Sequence, residues 1–145
     1  MKNKLLTTFL SVMMPGVGQL HNRQFIKGII ILVLEHVVNK LGNINMAILL
    51  CLNGRTEEAL DIVSYDFALF YPGFYVFTVY DAILHARKET NINGGYFYGL
   101  AGFAGCFGVI YSEYIPNPLF TVGMTMIICM FIGTYLFTKK QSGTS

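Results

Sequence analysis

Two stretches of the chain are apolar for about the length of a bilayer crossing. Phe97 to Ile115 and Leu119 to Phe137 each approach the roughly 20 residues with which an α-helix spans a hydrocarbon core, and the second holds no charge. Between them Pro116-Asn117-Pro118 cannot continue a helix, because each proline lacks an N–H and restricts the residue before it. The pattern predicts a tight helical hairpin over 97–137. Ile62 to Leu84 predicts a third span, with Pro72-Gly73 near its middle as the site of a kink. Phe25 to Leu41 predicts a fourth, interrupted by Glu35, His36 and Lys40.

The opening run, Leu5 to Leu20, is shorter and broken by Pro15, Gly16 and Gly18. It suits a half-helix that dips into the bilayer, or lies at its surface, better than a full crossing. With two lysines before it, it imitates a secretory leader, but no small-x-small cleavage site follows, and it is expected to be retained. Ile44 to Leu52 is too short to span and is expected to extend the first crossing or lie along its outer face. Asn53-Gly54 supplies a stop. Thr56, ahead of Glu57 and Glu58, has the form of a side-chain cap with acids in the first turn. The expected fold is therefore all-α: one integral membrane domain over 1–145, a helical bundle of about four transmembrane helices plus a re-entrant or interfacial amino-terminal helix.

Orientation follows from lysine and arginine. Lys2, Lys4, Arg23, Lys27, Arg87, Lys88, Lys139 and Lys140 all fall on one side if four crossings begin at Phe25. The opposite loop near Asn53 to Asp61 has Arg55 but also Glu57, Glu58 and Asp61, and the Pro116–Pro118 loop has no charge. This predicts a multi-pass protein of the (bacterial) cell membrane with both termini cytoplasmic.

Composition strengthens this picture through what is scarce. Apolar residues make up 54%, an ordinary share, but charged residues only 12%, about half the usual fraction of a soluble domain. Mean hydropathy is +0.53. A water-facing surface needs charge, so most of this surface is expected to face lipid. A net charge of +2 without a basic stripe argues against nucleic acid. Cys51, Cys106 and Cys129 stand singly in apolar runs, which fits small buried hydrophobes rather than metal ligands. His21, His36 and His85 lie in separate segments. No nucleophile–base set or metal spacing emerges, so neither enzyme chemistry nor a cofactor is expected.

Pro15-Gly16-Val17-Gly18-Gln19-Leu20-His21-Asn22-Arg23-Gln24, followed by Lys27-Gly28 and an apolar helix, resembles the TM2-domain family and its bacterial relatives. Those proteins carry a P-G-x-G-[QH]-x-Y-x-G-like turn opening a transmembrane helix, and a second helix with an aromatic-rich Asp-bearing end, here Tyr80-Asp81-Ala82. The resemblance covers Ser11 to Leu34 and Tyr75 to Lys88. His21 and Arg23 stand where an aromatic residue and a glycine are usual, the two helices are farther apart in sequence, and the 97–137 hairpin lies outside it. The resemblance implies a membrane scaffold or signalling-associated protein without catalytic chemistry.

Three residue sets follow. The turn residues Pro15, Gly16, Gly18, Gln19, Asn22, Lys27 and Gly28, with Asp81, form a structural motif. Because the two helices run antiparallel, Asp81 is expected level with Arg23, Lys27 and the amino end of the Phe25 helix, locking the pair through these donors. An anion or lipid head-group site on the same donors is the functional alternative. Glu35, His36, Asp66 and Glu113 are candidates for an ion path, since intramembrane ionisable groups need a partner or a purpose; their alternative is as interfacial groups near a short helix's outer end. Adjacent Glu35 and His36 cannot share one helix face, and Glu35 aligns with Asn39. Gly99, Ala101, Gly102, Ala104, Gly105 and Gly108 offer small-residue packing faces, for the Leu119 helix, where Gly123 and Gly133 are available to receive them, or for self-association. The sequence thus predicts a non-catalytic scaffold or partner subunit whose surroundings are the bilayer and another membrane protein or a second copy; the alternative is a small channel or transporter using the Glu35 group.

Overall fold

A computed structural model describes residues 4–86 and 92–138. Among the described residues the chain is all-helical, without a strand. The order is α1 (Lys4–Met13), α2 (Val17–His21), α3 (Phe25–Gly42), α4 (Ile44–Leu52), α5 (Thr56–Ile62), α6 (Tyr65–Ala86), α7 (Ile92–Ile110), a 3-10 turn (Ser112–Tyr114) and α8 (Pro118–Thr138). Of the residues used for orientation, Lys2, Arg87, Lys88, Lys139 and Lys140 lie outside the described residues.

The centre is the antiparallel trio α6, α7 and α8. Val76, Val79, Ile83, Tyr98, Ala101, Met126 and Met130 are buried together at its core. Glycines set how closely the three approach. A Cβ at Gly105 would stand 2.4 Å from Pro72 Cβ, and one at Gly108 would stand 2.2 Å from a Val122 methyl. The Pro72 ring therefore occupies the notch that Gly105 leaves in α7. Gly133 of α8 makes the same kind of room for the Tyr98 ring.

The other helices dress this trio. α1 packs on α6 and α8, and α3 packs on α2, α4 and α6. Between α3 and α6 the chain makes a closed excursion through α4 and α5. Asn43, left-handed at φ 54°, ends α3. Asn43 Nδ2 donates to Ile62 O at 3.0 Å and Ser64 N to Gly42 O at 3.1 Å, so the excursion is stapled at its base. α4 thus neither prolongs α3 nor stands apart: Ala47 and Cys51 bury against Ala59 of α5, and Leu119 of α8 packs on them.

Several expected boundaries move. α7 ends at Ile110 rather than Ile115 and begins earlier, at Ile92. Pro116 holds Ile115 in extended backbone (ψ 122°), and the segment ahead unwinds into the 3-10 turn. Pro118 then opens α8 at the first helical position, where its missing N–H costs nothing. The span expected over Ile62–Leu84 runs instead over Tyr65–Ala86, because Val63 and Ser64 make the turn out of α5. Thr56 is the first residue of α5 and not its cap. Arg55 holds the cap position without a side-chain bond and instead grips Glu58, Nε to Oε1 at 2.6 Å, which holds that exposed carboxyl below the usual range. By length and composition two helices can cross a membrane, Tyr65–Ala86 and Pro118–Leu136. α3 has the length but carries Lys27, Glu35 and Lys40.

Candidate functional site

α1 and α2 form a short helical hairpin whose turn is built on glycine. Gly16 sits at φ 97°, where a side chain is strained. A Cβ there would also lie 2.6 Å from Gly28 O and 2.8 Å from Leu32 Cγ. Gly28 is bare for the reciprocal reason, since Leu20 and Gly16 O fill the space beside it. A Cβ at Gly18 would strike Ser11 Oγ on one side and meet Ala82 on the other, so α1, α2 and α6 meet at van der Waals distance. Pro15 is buried at the same turn.

This close approach places two amides against the carbonyls of α6. Gln19, fully buried, donates through Nε2 to Thr78 O at 2.8 Å and to Asp81 Oδ2 at 3.1 Å. Asn22 Nδ2 donates to Ala82 O at 2.6 Å. From α3, Lys27 Nζ reaches Asp81 Oδ1 at 2.6 Å. His85, one turn along α6, has Nδ1 3.4 Å from the same oxygen and 2.7 Å from Asp81 O. The Asp81 carboxylate is nine-tenths buried while the Lys27 side chain is 42% exposed. One acid thus ties α2, α3 and α6 together, with a buried amide on one oxygen and an ammonium on the other.

Of the donors expected, Lys27 is in place and the others are not. Arg23 is exposed and left-handed, at φ 63°. Asp81 draws on the Gln19 and Lys27 side chains rather than on backbone N–H groups at the start of α3. Gln19 is a motif residue whose role the pattern did not reveal. His85 could have been found from its i,i+4 spacing to Asp81.

A second polar cluster was missed altogether. α1 turns Lys4, Thr7, Thr8 and Ser11 inward, all buried. Thr8 Oγ1 lies 3.0 Å from Thr134 Oγ1, which the Tyr98 hydroxyl meets at 2.5 Å. Thr134 also donates to Met130 O. The Tyr75 hydroxyl donates to Val12 O, fixing the far end of α1 to α6. The signal was present in sequence: positions 4, 7, 8 and 11 are one face of a helix.

The four ion-path candidates are not gathered. Glu35 alone is buried; it accepts from Asn39 Nδ2 at 3.1 Å and from the Tyr71 hydroxyl at 3.3 Å. His36, Asp66 and Glu113 are exposed, His36 because it points about 100° away from its neighbour. The small-residue stripe divides too. Ala101, Gly105 and Gly108 are buried and Ala104 half-buried, but Gly102 only touches Val76 and a Cβ at Gly99 would meet nothing within 4 Å. Of the two glycines expected to receive it, Gly133 instead faces the Tyr98 ring and Gly94 O, and a Cβ at Gly123 would meet nothing within 4 Å. Among the described residues no three His, Cys, Asp or Glu side chains stand as a metal ligand set. No family model, curated protein or solved structure matches the chain.

Proposed function

We propose that the chain is an integral membrane protein in which α3, α6, α7 and α8 cross the bilayer and α1–α2 is a re-entrant hairpin, held by Asp81, that serves as a non-catalytic scaffold or partner subunit of a membrane complex. The observation that carries the reading is the polarity of α1. Its buried face is Lys4, Thr7, Thr8 and Ser11, while Leu5, Leu6, Phe9 and Met13 face outward. In water this arrangement is inverted, since apolar area removed from water is worth about 25 cal/mol per Å². In lipid it is the stable one, because the leucines need no shelter from that solvent, and Thr8 finds internal partners in Lys4 O and Thr134 Oγ1, while the Thr7 and Ser11 hydroxyls have none among the described residues. The same inversion runs along the bundle: Ile26 is 78% exposed and Phe103 65% exposed, whereas Gln19 and Thr134 are fully buried.

The hairpin also supports the TM2-like reading, because its glycines, Gln19, Lys27 and Asp81 act on one another. The charges of α3 fit a crossing helix whose ionisable groups are matched: Lys27 by Asp81, and Glu35 by Asn39 and Tyr71. Lys40 falls in its last turn. With both ends cytoplasmic, α4 and α5 lie at the opposite surface, and the acids Glu57, Glu58 and Asp61 face outside. A channel or transporter reading rests on Glu35 alone, because its expected companions do not face it. Ion flux in liposomes no greater than in protein-free vesicles speaks for the scaffold; flux with the wild type that is lost in Glu35→Gln overturns it. Native-membrane purification should bring down a stoichiometric partner. A chain that stays monodisperse in buffer without amphiphile would refute the membrane reading itself.

A further inference from the structure

From a cavity between the α4–α5 excursion and the α6–α8 trio, we infer that the protein holds one acyl chain of a membrane phospholipid inside its bundle. This rests on the membrane reading above and goes beyond it. The cavity has a volume of about 240 Å³ and is open to the exterior on one side. An apolar cavity of roughly 150 Å³ stays dry and takes up benzene, so this one has room for part of an alkyl chain and offers water nothing.

Its walls explain the choice of ligand. Ile44, Ile48, Leu60 and Val63 form the roof, and Pro72, Gly105, Val122 and Met126 form much of the floor. The polar side chains that reach it are already satisfied. The Tyr71 hydroxyl donates to Glu35, that of Tyr75 to Val12 O, and that of Tyr65 lies 3.4 Å from Ser112 Oγ. The Tyr71 and Tyr75 hydroxyl protons are thus committed outside the cavity, which leaves its lining largely apolar, and a hydrocarbon chain needs no partner there.

Position and length agree with that occupant. The lining follows only one half of each long helix, Tyr65 to Tyr75 on α6 and Pro118 to Ile127 on α8. At 1.5 Å per residue the α6 portion is about 15 Å long, and a hydrocarbon core of about 30 Å gives each leaflet the same depth. Tyr65, Ser112 and Pro118 stand at the helix ends, where the chain's ester and head group would emerge beside polar backbone. Glycine keeps the space open: a Cβ at Gly123 would meet no atom within 4 Å.

That glycine supplies the test. Gly123 lines the cavity and a Cβ there has free space around it, so Gly123→Leu adds a side chain at the cavity wall and replaces glycine by a better helix former, and the variant should melt no lower than the wild type. Both proteins are reconstituted in phosphatidylcholine vesicles carrying a diazirine on one acyl chain, irradiated, and mapped by mass spectrometry. The expected result is label on Val122 and Met126 as well as on outward-facing Phe103 and Ile128, with the inner label lost in Gly123→Leu and the outer label kept. Label on the outward residues alone, or inner label undiminished in Gly123→Leu, overturns the proposal while leaving the membrane reading intact. No label anywhere overturns both. Inner label obtained only with a diazirine fatty acid would assign the cavity to free fatty acids and overturn the phospholipid.

Discussion

Asp81 shows how much of a junction one side chain can carry and how far its neighbours qualify that weight. Its carboxylate is nine-tenths buried between Gln19 and Lys27, one oxygen to each, so an amide in its place leaves one of the two donors facing an NH2 group instead of an acceptor and removes the charge that Lys27 pairs with. Asp81→Asn keeps the shape and should cost about 1–3 kcal/mol, toward the low end because Lys27 is partly exposed and can turn to water. The readout is thermal unfolding in detergent micelles, and an unchanged transition would show that α2, α3 and α6 are held without the carboxylate, by packing and by the amide bonds of Gln19 and Asn22 to α6 carbonyls. Arg23 poses the opposite case. Its φ of 63° lies in the region that favours glycine, which strains other residues by about 1–3 kcal/mol where the surroundings impose it. Its side chain is exposed. Arg23→Gly should therefore leave stability unchanged or raise it by up to about 1 kcal/mol, even with the charge lost. A clear fall in melting temperature would mean that the guanidinium contributes more than the backbone strain removes.

At the scale of elements, legibility followed periodicity and failed where a helix's solvent was assumed. α8 could be read because an uninterrupted apolar run marks it and Pro118 marks its start, while α3 and α6 could be read to within a few residues despite Glu35, His36 and Lys40 in one and Pro72 in the other. α7 was read about five residues too far because Tyr111 to Ile115 holds no glycine or proline to end a helix, while Pro116 acts backward on the residue before it. α1 was legible as a short broken helix, but its polar stripe went unread: a threonine-rich face suggests water until the partners on α8 are known. Small residues were the least legible feature, since sequence gives their spacing and only packing gives their use. Gly105 and Gly99 make that difference measurable. Gly105→Ala puts a Cβ 2.4 Å from Pro72 Cβ and 2.8 Å from Met126 Sδ, and overpacking of this kind costs about 1–3 kcal/mol. Gly99→Ala meets nothing within 4 Å and should gain up to about 1 kcal/mol from helix propensity. Equal melting temperatures for the two variants would sink this division of the stripe.

For the whole molecule, the decisive quantity is the number of times the chain passes the membrane before α6. A complete crossing by α1 and α2 needs roughly 20 apolar residues, whereas α1 stops at Met13 and the chain turns at Gly16 against Gly28 and Leu32. Asn22 is then back beside Ala82 of α6, and Lys27 beside Asp81. The start of α3 therefore returns to the end of the bundle that α1 entered, and in the four-crossing arrangement proposed above the carboxyl end comes to that side as well. Three labels resolve this in a variant whose cysteines are replaced by alanine: an amino-terminal epitope, Arg23→Cys and Glu57→Cys. An impermeant maleimide applied to intact cells should modify Glu57→Cys and spare Arg23→Cys, and the epitope should become accessible only when the membrane is permeabilised. An epitope exposed on intact cells with Arg23→Cys still protected would make the hairpin a true crossing and would place Lys4 on the outer side, away from the excess of lysine and arginine on which the orientation depends.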